Sequence, residues 1–94
     1  MNKTYLLIGS NEGDRMEHMK TAKKMISDKI GTITACSKLY ETAAWGKHDQ
    51  PDFLNQVLLV ETVLNAAICL QEILLRETRM GRVNKEIIFL FYHY

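Results

Sequence analysis

The spacing of apolar residues along the chain predicts four strands. Residues 4–9 form a short apolar run that ends at a glycine, which is typical of a buried strand. Residues 54–63 are rich in branched apolar side chains and predict a central strand, and residues 85–94, dense in Ile, Phe and Tyr, predict a terminal one. Residues 32–40 alternate, so we expect one face of that strand to carry Ile33, Ala35 and Leu39.

Two other segments have the spacing of helices. Between residues 16 and 30, apolar side chains recur every three or four positions, and Gly31 provides a natural end. Residues 66–80 are predicted as a second helix, which is also followed by a glycine. The residues that suit the N-terminal caps are Asn11 or Asp14 for the first helix and Asn65 for the second.

The order of these elements is β-α-β-β-α-β. This order predicts an α+β, ferredoxin-like fold, in which an antiparallel sheet carries both helices on one face. At 94 residues the chain has the length of one small domain, which we expect to cover residues 1–94. We find no internal repeat, low-complexity tract or linker that would divide it.

Composition narrows the possible partners and the compartment. The hydrophobic fraction of 47% supports a folded core. The formal net charge of +1 gives no bias towards polyanions, so we do not expect a nucleic-acid partner. Cys36 and Cys69 fit no disulfide or metal-binding spacing, which favours a reducing cytoplasm. No apolar run approaches the roughly 20 residues of a membrane helix, so we expect no membrane partner.

Residues 41–55 carry the most unusual chemistry. Phe53 offers a flat apolar face, and Asn55 offers a carboxamide with two donors and an acceptor, a match for the edge of a pyrimidinone or pterin ring. A glycine and a proline in this loop allow its backbone to approach a ligand closely. The plainer interpretation, that the aromatic residues belong to the core and Asn55 to a turn, stays open.

A basic segment at residues 77–85 offers a second candidate site. Its cations gather at the end of the second predicted helix, where they suit the helix dipole without any ligand. The functional interpretation is that Arg82 reaches a phosphate, because its planar guanidinium can bind two oxygens at once. Glu77 would then face a nucleotide, although an exposed glutamate is the usual finding at such a position.

The segment GSNEGD, residues 9–14, follows the first predicted strand. It matches neither GxxxxGK[ST] nor GxGxxG, the glycine-rich patterns that bind phosphates, so it is a weak phosphate cradle. As a tight turn between a strand and a helix it needs no ligand.

The segments LLIGSNEGD, KLYETAAWG, DQPDFLNQVLLVET and ETRMGRV follow one another along the chain. In this order and spacing they resemble the 6-hydroxymethyl-7,8-dihydropterin pyrophosphokinase family of folate biosynthesis. The resemblance extends from about residue 5 to residue 83, and residues 40–62 are its most specific part. It implies a ferredoxin-like fold, in agreement with the order of elements predicted from the apolar pattern.

The resemblance also implies an activity and its residues. The family transfers the terminal diphosphate of ATP to the hydroxymethyl group of a reduced pterin, releases AMP and uses Mg²⁺. Carried over position by position, the pterin would be bound by Thr42, by the backbone around Ala43 and Trp45, by the ring of Phe53 and by the carboxamide of Asn55. The nucleotide side would be served by Glu77 and by Arg82, the catalytic residue of a loop that closes over the phosphates.

The chain departs from the family after Val83. The family's next arginine is replaced by Asn84, and its pair of magnesium-binding aspartates has no counterpart, because no aspartate follows Asp52. Glu86 and His93 are poor substitutes, since magnesium prefers paired carboxylate oxygens. We therefore assign no metal ligand in this chain. Family members continue for several tens of residues, so we expect the domain to lack its C-terminal portion.

Three functions stay open on these grounds. The first is the pterin diphosphokinase, impaired by the missing aspartates. The second is a non-catalytic domain that binds a pterin or a purine, and the third is a ferredoxin-like interaction module whose loop is only structural. A truncated or frame-altered chain, a segment missing after Lys85, or a degenerate paralogue would each explain the departure, and each predicts weak or no turnover.

The composition of residues 87–94 affects whether the chain associates with other chains. They form an aromatic, uncharged run, and an unpaired strand of this kind promotes aggregation. We therefore expect the run either to complete the sheet or to mediate self-association with another chain.

Overall fold

The described part of the chain forms five strands and two helices. A computed structural model describes residues 1–11, 13–43, 51–81 and 88–93, and at 76–81 and 88–93 it describes the backbone alone. The elements are, in chain order, β1 (Asn2–Ser10), α1 (Arg15–Lys29), β2 (Thr32–Cys36), β3 (Tyr40–Thr42), β4 (Phe53–Thr62), α2 (Ala66–Gly81) and β5 (Ile88–His93).

The strands belong to one antiparallel sheet with the order β2-β4-β1-β5. The short strand β3 also pairs with β4 and lies beyond β2 along the same edge. β4 is therefore central, as its branched apolar sequence predicts. This arrangement confirms the α+β, ferredoxin-like fold expected from the order of the elements.

Both helices pack on the same face of the sheet. Leu6 of β1 pairs with Leu58 of β4, and both side chains are completely buried. The core on this face combines alternate residues of the two strands with one stripe of each helix, as amphipathic elements require. It comprises Leu6, Ile8, Met19, Ala22, Ile26, Ile30, Leu54, Leu58, Val60, Cys69 and Ile73.

Local signals place the helix ends as the sequence predicts. The Asp14 carboxylate accepts a hydrogen bond from the Glu17 amide at 3.1 Å, so Asp14 is the N-cap of α1. The Asn65 side-chain oxygen likewise accepts a hydrogen bond from the Ile68 amide at 2.9 Å. After α1 the amide of Gly31 donates to the carbonyl of Ile26 at 3.0 Å, which closes the last turn.

The prediction of one continuous strand over residues 32–40 is wrong, because Ser37 interrupts it. Its amide donates to the Val57 carbonyl at 2.8 Å, and its hydroxyl accepts from the Val57 amide at 2.9 Å. The Ser37 hydroxyl oxygen thus takes the place of a backbone carbonyl as the acceptor for the Val57 amide. The Ser37 carbonyl is in turn occupied by the Gln56 side-chain amide at 2.7 Å. β2 therefore ends, and the chain rejoins the edge of β4 as β3.

The expected common face of Ile33, Ala35 and Leu39 is also wrong. Ile33 pairs with Val60 and packs against the core, whereas a register shift pairs Ala35 with Leu59 on the opposite face. Leu39 lies beyond the strand and is 40% exposed. A bulge of one residue is sufficient for this reversal, because side chains alternate between faces with a period of two.

The terminal apolar run completes the sheet, one of the two outcomes expected for it. β5 pairs antiparallel with β1, from Thr4 opposite His93 to Gly9 opposite Ile88. The predicted bounds were wider, at 85–94, and residues 82–87 and 94 lie outside the described part of the chain.

Deletion of residues 87–94 should make the protein insoluble. The deletion removes β5 and exposes the edge of β1, and an unpaired edge of a sheet favours aggregation. The measurement is the soluble fraction after expression, with far-UV circular dichroism of whatever remains in solution and the full chain as control. A shortened chain that stays soluble and folded would contradict this role of β5.

The two cysteines lie in different environments. Both are free thiols; Cys36 is exposed and Cys69 is completely buried. Burial raises the pKa of the Cys69 thiol, and a hydrogen bond with Thr4 opposes that shift in part. Less thiolate therefore forms at Cys69 at a given pH, and the thiolate is the reactive species.

In native buffer at pH 8, one thiol per chain should react with Ellman's reagent. Cys36 is accessible, whereas Cys69 is both inaccessible and held in the protonated form. The second thiol should react only after denaturation. A Cys36→Ser variant serves as control and should show no fast reaction; rapid reaction of that variant would mean that Cys69 is not buried in solution.

Neither helix, within the part of the chain that the structure describes, combines the length and the apolar composition needed to cross a membrane.

Candidate functional site

The face of the sheet away from the helices carries the candidate site. Side chains alternate along β4, so Phe53 and Asn55 share one face while Leu54 points into the core on the other. Phe53 is half-buried, and Asn55 is only 7% exposed. The aromatic ring and the carboxamide that the sequence selects therefore lie next to each other on the face that the described helices leave open.

Asn55 is held by the strand beside it. Its Nδ2 lies 2.8 Å from the hydroxyl oxygen of Thr42 and 3.3 Å from the carbonyl oxygen of Tyr40, both in β3. A third acceptor, the carbonyl oxygen of Phe53, lies at 3.4 Å. Three acceptors around one nitrogen fix which end of the carboxamide is the amide group, because an oxygen placed there would face two carbonyl oxygens.

The other end of the carboxamide faces Gly9 of β1, the residue paired with Asn55. A methyl group in place of the glycine hydrogen would lie 2.7 Å from Asn55 Oδ1, which is closer than real side chains approach. Gly9 therefore provides the space in which this side chain lies. Close packing against Asn55 therefore requires a glycine at the end of the first apolar run, a requirement that the sequence pattern does not reveal.

The hydrogen bonds leave a defined set of groups for a ligand. Within the described residues, every hydrogen bond of the Asn55 side chain comes from Nδ2, so its oxygen stays available as an acceptor. Thr42 accepts from Asn55, which leaves its own hydroxyl hydrogen to donate elsewhere. With the ring of Phe53 alongside, the site offers an acceptor, a donor and an aromatic surface to a flat heterocycle with an N–H on its edge.

The structure gathers four of the sequence-predicted site residues. Thr42 is the last residue of β3 and pairs with Phe53 of β4. Ala43 follows Thr42 and is exposed. The Asn55 side chain connects the two strands through its hydrogen bond to Thr42. Trp45 and Arg82 lie outside the described residues. Glu77 lies within α2, where the backbone alone is described.

A shallow cavity of about 310 Å³ lies on the same face, further along β4. Val57 and Leu59 of β4 form part of its lining, with Tyr5 of β1 and residues 35–37 on the other side. Val57 comes two residues after Asn55, so the apolar surface continues from the candidate site towards the middle of the sheet.

Sequence reasoning missed Arg15, the first residue of α1. Its Nη1 lies 2.9 Å from a carboxylate oxygen of Glu41 and 3.0 Å from the carbonyl oxygen of Asp52. A cation at a helix N-terminus opposes the helix dipole. That local mismatch was the available signal that Arg15 has a partner elsewhere, although it does not identify the partner.

The described carboxylates do not fit a magnesium site. Within the described ranges, no group of three or more His, Cys, Asp or Glu side chains could hold a metal ion. Two of the described carboxylates have other partners, because Glu41 pairs with Arg15 and Asp14 caps α1. A magnesium ion bound by the described residues alone would lack the oxygen ligands that it requires.

Comparison with known proteins identifies relatives of the chain. Residues 5–89 match the family described as 7,8-dihydro-6-hydroxymethylpterin-pyrophosphokinase (HPPK). A 2-amino-4-hydroxy-6-hydroxymethyldihydropteridine pyrophosphokinase from Porphyromonas gingivalis is 33% identical over 81 residues, which are 86% of this chain and 55% of that protein. A protein of the same name from Bacillus subtilis is 33% identical over 85 residues, 89% of this chain and 51% of that protein.

A fungal relative is a much longer protein. The folic acid synthesis protein fol1 of Schizosaccharomyces pombe is 39% identical over 80 residues, 84% of this chain but only 11% of that protein. The chain thus spans about half the length of the bacterial relatives and a small part of the fungal one.

Proposed function

Because this chain belongs to the 7,8-dihydro-6-hydroxymethylpterin-pyrophosphokinase family, we propose that it binds 6-hydroxymethyl-7,8-dihydropterin and transfers diphosphate to it from ATP. Diphosphate transfer is the activity that the names of the bacterial relatives indicate. Since the chain spans about half of their length, the activity of the whole relatives enters here as a proposal about this chain.

The observation that carries the proposal is the fixed carboxamide of Asn55 beside Phe53. A pterin presents N–H groups along one edge of a flat bicyclic ring. Asn55 Oδ1 would accept a hydrogen bond from that edge, while Phe53 covers a ring face and the Thr42 hydroxyl donates to a ring acceptor. Ala43 and Trp45 would contribute backbone groups at the same edge, in the roles that the family resemblance implies.

The proposed reaction is an in-line transfer of diphosphate from ATP to the pterin. The hydroxymethyl oxygen of the pterin attacks the β-phosphorus of ATP, the bond between that phosphorus and the bridging oxygen to the α-phosphate breaks, and AMP leaves while the hydroxyl proton is released. Transfer of this kind depends on positioning and on neutralising the phosphate charge. By resemblance to the family, we assign neutralisation of the phosphate charge to Arg82 and the nucleotide contact to Glu77.

Magnesium is part of the proposal only through the family. ATP phosphates require a counter-charge, and magnesium supplies it in enzymes of this chemistry. No group of three or more His, Cys, Asp or Glu side chains among the described residues could hold this ion, and we assign Thr42, Phe53 and Asn55 to pterin binding.

The second candidate function is non-catalytic pterin binding. What favours it is the departure from the family after Val83, where Asn84 replaces the next arginine. The pterin half of the site, formed by Thr42, Phe53 and Asn55, would serve either function equally well. The two functions therefore differ in turnover and share ligand recognition.

Two measurements separate the functions. Titration calorimetry of the folded chain with 6-hydroxymethylpterin tests recognition, and the absence of heat at millimolar ligand would remove both candidates. If the chain binds, an assay of AMP release from magnesium-ATP and the reduced pterin distinguishes an enzyme from a binding domain. We expect binding with slow AMP release; binding without any AMP release would instead favour the second candidate.

The remaining assignments belong to the same proposal. We place residues 1–94 in one pyrophosphokinase-like domain. Two free thiols and an ATP-dependent reaction support a cytoplasmic location. Self-association would use the outer edge of β5, because β5 lies last in the sheet order and edge strands pair readily with other chains.

A further inference from the structure

One arginine connects the start of α1 to both flanks of the candidate site. The Nη1 atom of Arg15 donates to Glu41 Oε2 at 2.9 Å and to the Asp52 carbonyl oxygen at 3.0 Å. A guanidinium nitrogen of this type carries two hydrogens, so both contacts can be made at once. Glu41 lies in β3, and Asp52 directly precedes β4.

Each partner of Arg15 is the chain neighbour of a site residue. Glu41 precedes Thr42, Asp52 precedes Phe53, and Thr42 and Phe53 face each other at the end of the β3–β4 ladder. Beyond this pair the two strands separate into the loop. Arg15 therefore bridges the two strands at the point where pairing ends and the site begins.

A second contact, from the turn that precedes α1, supports this bridge. The Asn11 side-chain amide, which is almost completely buried, donates to the Pro51 carbonyl oxygen at 3.1 Å. Asn11 in this turn and Arg15 at the start of α1 thus hold the returning end of the loop at two successive carbonyls, those of Pro51 and Asp52. This gives the GSNEGD segment a structural task that needs no phosphate.

The energetics indicate a geometric role for Arg15. Its ion pair with Glu41 is partly exposed, with side chains 32% and 56% accessible, and exposed pairs add little to stability. A cation at the N-terminus of α1 is also unfavourable for the helix dipole. The contacts therefore contribute mainly by fixing the spacing between β3 and the start of β4.

We propose that Arg15 is a positioning residue for pterin recognition, which holds Thr42 and Phe53 at the separation that a ligand requires. The inference rests on the proposed function and adds to it a residue that does not touch the ligand. Arg15 acts through Glu41 on one strand and through the Asp52 carbonyl on the other.

The test compares ligand affinity with stability in matched variants. The dissociation constant for 6-hydroxymethylpterin is measured by calorimetry for Arg15→Ala, Arg15→Lys and Glu41→Gln. Lys20→Ala, which removes an exposed cation of the same helix, is the control. We expect Arg15→Ala to weaken binding about fivefold and Arg15→Lys to recover part of that loss. Lys20→Ala should bind like the wild type.

Two further readouts identify a positioning role. The double variant Arg15→Ala with Glu41→Gln should weaken binding by less than the product of the single effects, because the two residues share one contact. The urea midpoints of the single variants should stay close to that of the wild type. A role in stability alone would instead lower the midpoint of Arg15→Ala and leave the affinity of the folded protein unchanged.

Two results would overturn the inference, and they are distinguishable. If the wild type binds and Arg15→Ala binds equally well, Arg15 has no positioning role and the proposed function stands. If the folded wild type does not bind at all, the proposed function fails and takes this inference with it.

Discussion

Replacing Gly31 with alanine is expected to reduce the free energy of unfolding by about 3 kcal/mol or more. The added methyl group would overlap the carbonyl oxygen of Glu61, with the carbon of the same carbonyl and the Thr62 Cα both at 3.0 Å. All three are backbone atoms of the central strand, so no side-chain rotation relieves the overlap. The chain after α1 would have to move away from β4.

That movement would also disturb a buried hydrogen bond. The Thr62 hydroxyl donates to the carbonyl oxygen of Ile30 at 2.5 Å, and Thr62 is only 1% exposed. Separating them leaves a buried carbonyl without its donor, which costs a further 1 kcal/mol or so. The end of α1 is therefore attached to β4 both by close contact and by this bond.

Urea unfolding followed by circular dichroism measures the effect. Gly13→Ala is the matched control: Gly13 has a positive φ of 62°, and the nearest neighbour of the added methyl group would be the side-chain atom Cε1 of His18, at 3.3 Å. Its cost should be about 1 kcal/mol, the strain of a left-handed conformation. Equal stability of Gly31→Ala and the wild type would show that helix and strand do not approach as closely as described.

Substitution of Asn55 is expected to have the largest effect on ligand binding. Asn55→Ala removes the acceptor that would face the pterin edge and leaves a ring N–H unpaired in the complex. The expected loss is about 1–3 kcal/mol, or roughly 5- to 150-fold in the dissociation constant. Asn55→Asp should bind as poorly, because its second oxygen would face the carbonyl oxygens of Tyr40 and Phe53.

Gly9→Ala reaches the same side chain from the neighbouring strand. Its methyl group would lie 2.7 Å from Asn55 Oδ1, and the nearest backbone atom, the Leu54 carbonyl oxygen, lies at an ordinary 3.5 Å. The carboxamide should rotate away while the sheet stays intact. We expect pterin affinity to fall with little change in the urea midpoint; unchanged affinity would mean that Asn55 Oδ1 does not face the ligand.

The sequence predicts those parts of the fold that depend on local or periodic signals. Asp14 and Asn65 cap helices through contacts three residues away, and β4 is recognisable because a central strand is apolar on both faces. The break at Ser37 is different in kind. A serine is compatible with a strand, and only its contacts with Val57 and Gln56 of another strand end the pairing.

The candidate site likewise has features that the sequence predicts and features that depend on distant contacts. Asn55 and Phe53 share one face because β4 begins at Phe53, one residue before the predicted strand of residues 54–63. The sequence therefore selects both residues but does not place Phe53 in the strand. Which end of the Asn55 carboxamide is occupied depends on Tyr40 and Thr42, more than ten residues earlier. The contact of Arg15 with Asp52 spans a still larger separation, and no local pattern encodes it.

The central claim is that the face formed by Phe53 and Asn55 binds a pterin, and calorimetric titration with 6-hydroxymethylpterin tests it most directly. The wild-type chain, shown to be folded by circular dichroism, should release or absorb heat with a saturable isotherm, and Asn55→Ala should require at least about fivefold more ligand. No heat at millimolar ligand, or an isotherm that Asn55→Ala leaves unchanged, would contradict the claim.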